Sequence, residues 1–117
     1  MPILFPADKK TLVSLIQPTM TAVSSRNTLP ALEGLLFTLQ GNELSVCGYD
    51  LEKGVKTVTQ VQGLSDGAVI LNAQKVFAIV RNFPDCDITF RSDDKYFVTI
   101  TGGMSEYSIH GLGSDAF

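Results

Sequence analysis

The chain has 117 residues, enough for one domain with a real hydrophobic core. It is 44% hydrophobic and 18% charged, with no low-complexity tract, no block of like charge and no apolar run of membrane-spanning length. A formal charge of −3 speaks against a protein that grips duplex nucleic acid by bulk electrostatics, which would normally be basic.

The first ten residues, "MPILFPADKK", lack the basic start and the long apolar stretch of a secretory signal, and two prolines interrupt them. Residues 2–5, "PILF", make a short strand candidate. Asp8 is placed to cap a helix over "KKTLVSLIQPTMTAV". Leu12, Leu15, Ile16, Met20 and Val23 form its apolar stripe, and Lys10, Ser14, Gln17 and Thr21 lie opposite. Pro18 removes one helical hydrogen bond and should kink or shorten that helix. After the loop "SSRNTLP" come three strands, 35–40, 43–48 and 51–61, with Gly41-Asn42 as the hairpin turn and Gly48 at the next corner.

The same order then repeats. "AVILN" (68–72) is a strand and "AQKVFAIVRNF" a helix burying Val76, Phe77, Ile79 and Val80. Strands at 87–92, 96–101 and 106–110 follow, separated by turns at Asp93-Asp94 and Gly102-Gly103. The expected fold is α+β, with two pseudo-symmetric β-α-β-β-β halves and two helices packed on antiparallel sheet.

Charge divides along the same lines. Lys9, Lys10, Arg26, Lys75 and Arg81 stand on or beside the helices against Asp8 alone, five cations to one acid, a net of +4. The remainder has four cations to eleven acids, a net of −7. Singly, each of these cations reads as part of a solvated helix face. Jointly they make a case for a polyanion lying across the helices, held by sequence-blind phosphate contacts.

Other candidates for chemistry read as structure. Asp50 and Glu52 would share one side of a strand at roughly 6–7 Å, a spacing that paired-acid catalysis tolerates. No Trp is present to stack a sugar, and the pair reads better as a solvated corner. His110 is the only histidine, and Cys47 and Cys86 are too far apart in sequence to give a zinc spacing. The Gly-x-Gly of "HGLGSD" has no helix behind it to cradle a phosphate. Asp85/Asp87 and Asp93/Asp94 lack the calcium-loop spacing and read as turn residues. Two cysteines without a scaffold pattern suit a reducing compartment, so a cytoplasmic protein is expected, with no cofactor, no metal and no membrane partner.

The segments "TLPALEGLLFTLQGNELSVCGYDLEKGV" (28–55) and "NAQKVFAIVRNFP" (72–84), with Arg26 ahead of "TLP" and "YSIHGLGSDAF" at the end, resemble the N-terminal domain of the bacterial sliding clamp, the beta subunit of DNA polymerase III. The resemblance covers essentially the whole chain, residues 1–117. It implies a DNA clamp fold and a non-catalytic processivity factor. Three such domains per chain, in two chains arranged head-to-tail, would close a ring around double-stranded DNA and tether the replicative polymerase. Topological retention would explain why an acidic protein serves DNA.

By position, Arg26 matches a DNA-contacting arginine of the family. With it, Lys9, Lys10, Gln17, Lys75 and Arg81 are expected to face DNA. Lys75 also falls near the subunit boundary. Tyr107 and Ile109 match apolar residues of the edge strand that meets the partner subunit. Met104 and Glu106 depart from the family, since some relatives carry basic residues beside that strand. Polymerase and clamp loader would be engaged through later domains, which the chain lacks, so an excised first domain or a truncated product is expected. Competing readings are a stand-alone protein-interaction module with no DNA role, and a small hydrolase using Asp50 and Glu52.

Overall fold

Asp8 ends strand β1 (Leu4–Asp8) and starts helix α1 (Lys9–Ile16), its carboxylate accepting the Thr11 amide at 3.3 Å as an N-cap. The structure, a computed structural model, describes residues 2–22, 34–49 and 54–113, so the expectations for Val23, Arg26, Asp50 and Glu52 lie outside the described residues. Strand β1 starts two residues and ends three residues beyond the 2–5 expected, and runs through Pro6. A proline fits there because β1 flanks its sheet and needs a full hydrogen-bond ladder on one side only.

The proline at position 18 shortens the first helix, as expected. A continued helix would need the residue 18 amide to donate to Ser14, and proline has no such hydrogen. The chain tightens after Ile16 into a 3-10 helix, Gln17–Ala22. Two hydroxyls bond to carbonyls at this junction. Thr19 Oγ1 donates to Ile16 at 2.6 Å, and Thr57 Oγ1 donates to Leu15 at 2.6 Å.

Strands β2 (Gly34–Gln40), β3 (Glu43–Tyr49) and β4 (Gly54–Gln60) follow, then β5 (Gly67–Asn72) and helix α2 (Ala73–Asn82). Strands β6 (Asp87–Ser92), β7 (Phe97–Gly102) and β8 (Ser105–His110) complete the order. The duplicated pattern is present. Two turns differ from expectation in detail. Gly102 stays within β7, paired with Ser105, where any Cβ would come within 2.9 Å of the Phe83 ring, and Gly103, at φ +55°, makes the turn with Met104. Between β6 and β7, Asp93 Oδ1 accepts the amides of Lys95 and Phe97 at 2.8 and 3.0 Å, moving the turn to Asp94-Lys95.

The halves exchange their first strands. One sheet runs β1–β6–β7–β8 and the other β4–β3–β2–β5, all antiparallel. Each exchanged strand is also closed on its outer side. Leu4 bridges to Ser65 through two backbone bonds of 3.0 and 3.2 Å, and Ile70 bridges to Leu112 through two of 2.9 Å. Among the described residues, this leaves the outer edges of β4 and β8 open.

The core joins the sheets and the helices. The Phe90 ring of β6 stacks on Phe5 of β1 at 5.1 Å and on Phe37 of β2 at 5.7 Å, tying one sheet to the other. Leu12, Leu15 and Ile16 of α1 and Ala73, Val76 and Val80 of α2 are buried with Leu44, Val46, Val98 and Ile100 of the strands. Both helices therefore cover the sheets with their apolar stripes, and turn their polar stripes away from them.

Candidate nucleic-acid interface

Two antiparallel helices carry the predicted cationic face. The start of α1 meets the end of α2, where Lys9 Nζ reaches the Arg81 and Phe83 carbonyls, and α2 also packs on the 3-10 helix that follows α1. On α1, Lys10, Ser14 and Gln17 are exposed at positions i, i+4 and i+7. On α2, Gln74, Lys75, Ala78, Arg81 and Asn82 are exposed on one stripe. The structure thus brings Lys10, Gln17, Lys75 and Arg81 to the outward surface of one helical layer.

These cations do not all stand in the same setting. Lys75 sits in the first turn of α2, where Asn72 Oδ1 caps its amide at 3.0 Å. The Arg81 guanidinium lies 5.6 Å from the centre of the Phe77 ring one turn back, a cation–π contact that restrains it near the surface. Lys10 lines a groove between α1 and β4, with Thr11, Ser14, Thr57 and Thr59 supplying hydroxyls. Lys9 differs from all of them. Its ammonium donates to the Arg81 carbonyl at 3.0 Å and the Phe83 carbonyl at 2.5 Å, and it is half-buried.

Lys9, Lys10 and Lys75 all stand in first turns, the helix ends that disfavour a cation. Asp8 offsets this for α1. Its carboxyl is held below the ordinary 3.8 mainly by a hydrogen bond from the Thr11 side chain, opposed by desolvation and helped by the Thr11 and Asp8 amides and the Lys10 charge. The described carboxylates are all exposed and, apart from this cap, stand on strands and turns. Among the described residues the two helices carry Lys9, Lys10, Lys75 and Arg81 and no acid, whereas the strands and connections beyond Asp8 carry seven acids against Lys56, Arg91 and Lys95.

Strand β8 turns Tyr107 and Ile109 toward its own domain. Ile109 is 8% exposed and belongs to the core, and the Tyr107 ring meets Phe83 edge-on at 5.2 Å. What the strand offers outward is its open backbone edge, with Glu106, Ser108 and His110 exposed. Met104, at the tip of the β7–β8 turn, is fully exposed.

A family model described as the DNA polymerase III beta subunit, N-terminal domain, matches residues 3–117. The chain belongs to this family. The beta sliding clamp of Bacillus subtilis (strain 168) is 27% identical over 123 residues, which is 97% of this chain and 32% of that protein. The beta sliding clamp of Halalkalibacterium halodurans is 29% identical over 122 residues, again 97% and 32%. The solved DNA polymerase sliding clamp from Bacillus subtilis superposes with a TM-score of 0.94 at 25% identity, covering 98% of this chain and 32% of that one. A sliding clamp from Pseudomonas aeruginosa gives 0.94 at 24% identity, covering 100% and 32%, a likeness of fold alone. The chain therefore spans about a third of the length of the curated relatives it matches.

In this beta-clamp domain His110 has a structural role. His110 stacks on Phe97 with ring centres 4.1 Å apart, and its Nε2 lies 3.2 Å from the Lys95 carbonyl. Cys47 and Cys86 are free thiols. Among the described residues, no three His, Cys, Asp or Glu side chains are gathered to hold a metal ion. No described helix is long and apolar enough to cross a membrane. The carbonyl partners of Lys9 and Thr57 are distant in sequence and leave no local signal. Asp93 is the turn residue its Asp-Asp-Lys setting leads one to expect, because Asp side chains accept the amide two residues on.

Proposed function

We propose that these 117 residues form the first domain of a longer ring-shaped processivity factor, whose helices face double-stranded DNA and whose sheets face outward. The observation that carries this reading is the layer of two antiparallel helices bearing Lys10, Lys75 and Arg81 on an otherwise acidic domain. Duplex DNA carries about one negative charge per 1.7 Å of axis, so such a layer attracts it without reading its sequence. A few contacts suffice when retention is topological, and few contacts leave the ring free to slide.

In this reading Gln17 adds a neutral donor to the DNA-facing layer, and Arg26 joins it on the family resemblance. The protein is an accessory subunit that performs no chemistry and acts in the cytoplasm. A second subunit meets it head-to-tail at the open edge of β8, where Tyr107 and Ile109 support the strand from inside and Lys75 stands near the boundary. Polymerase and loader engage other parts of the full-length protein. The open edges of β4 and β8 favour this reading over a stand-alone interaction module, since a continuous ring needs a joining surface on each side of the domain.

The test is retention. Full-length protein assembled by its loader on nicked circular duplex should stay bound through gel filtration at moderate salt, and cutting the circle should release it. Equal retention on circular and linear DNA would overturn the topological mechanism.

A further inference from the structure

We propose that Lys9 is a positioning residue, stapling the start of α1 to the end of α2, and is not among the cations that reach DNA phosphates. The staple itself stands on geometry alone; only its second half rests on the function proposed above. The residue is tied at both ends. Its backbone amide donates to the Cys86 carbonyl at 3.1 Å, and its ammonium spans to the carbonyls of Arg81 and Phe83. Two of the three ammonium donors are thereby used.

Helix chemistry explains why a lysine stands here. The last carbonyls of α2 lack partners within their own helix and carry the negative end of its dipole. Lys9 begins α1, where a cation is disfavoured. Reaching across an antiparallel pair, it leaves the positive end of its own helix for the negative end of its neighbour. A single side chain thus removes an unfavourable placement and pairs one last-turn carbonyl of α2, that of Arg81, together with the carbonyl of its C-cap, Phe83.

The next residue shows the contrast. Lys10 lies about 100° further round the helix, is exposed, and lines the groove toward β4. The staple also acts on a proposed DNA-facing residue. It holds the Arg81 carbonyl while the Arg81 side chain rests on Phe77, so Lys9 fixes the backbone from which that guanidinium projects.

Acylation and salt dependence separate the two roles. Full-length protein without DNA would be treated with limiting acetyl N-hydroxysuccinimide ester and the sites followed by peptide mass spectrometry. Lys9 should react about tenfold more slowly than Lys10 or Lys75. The Lys9→Met variant should melt several degrees lower and keep the salt slope of low-salt duplex binding, whereas Lys10→Met should keep its melting temperature and lose about one unit of slope. Lys9→Arg should recover part of the lost melting temperature.

Acylation of Lys9 at the rate of Lys10 would overturn the staple. A reduced slope in Lys9→Met, whatever its stability, would overturn its exclusion from the phosphate contacts. If Lys9→Met fails to fold, acylation of the unsubstituted protein still decides. If no variant changes DNA binding, the proposed function falls while the acylation result still judges the staple.

Discussion

Thr57, on edge strand β4, donates its hydroxyl to the Leu15 carbonyl of α1 across 2.6 Å. This bond links an otherwise half-exposed strand to the helix above it, at a carbonyl freed where α1 tightens ahead of Pro18. Thr57→Val preserves shape and removes the donor. It should cost about 1–2 kcal/mol, since a partly buried acceptor is left unpaired. Thr57→Ser should retain most of the stability. Urea midpoints of the three proteins provide the check, and an unchanged midpoint in Thr57→Val would show that water replaces the hydroxyl.

Gly111 permits the closure of β5. A Cβ there would lie 2.5 Å from the Ile70 carbonyl oxygen and 2.8 Å from Val69 Cγ2, while the Gly111 amide donates to Tyr96 at 2.8 Å. Gly111→Ala must therefore push the chain away from β5 and strain the Ile70–Leu112 bridge. A loss of about 1–3 kcal/mol is expected from overpacking, with faster hydrogen exchange at the Ile70 and Leu112 amides. Exchange at the matching Leu4–Ser65 bridge should change less.

The Asp8 cap predicts an acid-sensitive contribution. Its folded carboxyl titrates below 3.8, so the unfolded chain takes up the proton first as pH falls. The stabilisation is complete above 3.8 and is lost as pH drops through the lower folded value. The gap in melting temperature between the parent and Asp8→Ala should therefore be constant near neutrality and narrow below 3.8. Asp8→Asn, an uncharged cap, should melt with a pH-independent offset from Asp8→Ala, apart from effects common to both. Thermal melts from pH 7 to pH 2 test both.

Whatever depends on near neighbours was legible before folding. The period of Leu12, Leu15 and Ile16, the Asp8 cap, the Pro18 break and the Gly41-Asn42 hairpin are governed by backbone geometry within a few residues. Each therefore appears in the structure where the chain chemistry demands it. The basic stripes of both helices belong with these: a spacing of seven sets Lys10 with Gln17, while Lys75 and Arg81, about 120° apart, stand at the two edges of the exposed stripe of α2.

Tertiary structure decided what depends on residues distant in sequence. Local pattern shows two β-α-β-β-β units but not that their first strands change places, since β1 must find β6 and β5 must find β2. It shows that Tyr107 and Ile109 share a face, but alternation by two cannot say that Phe83 and the core cover that face. The partners of Lys9 lie 72 and 74 residues away. A lysine at the start of a helix looks like any solvent-facing charge until another helix lays its open carbonyls beside it.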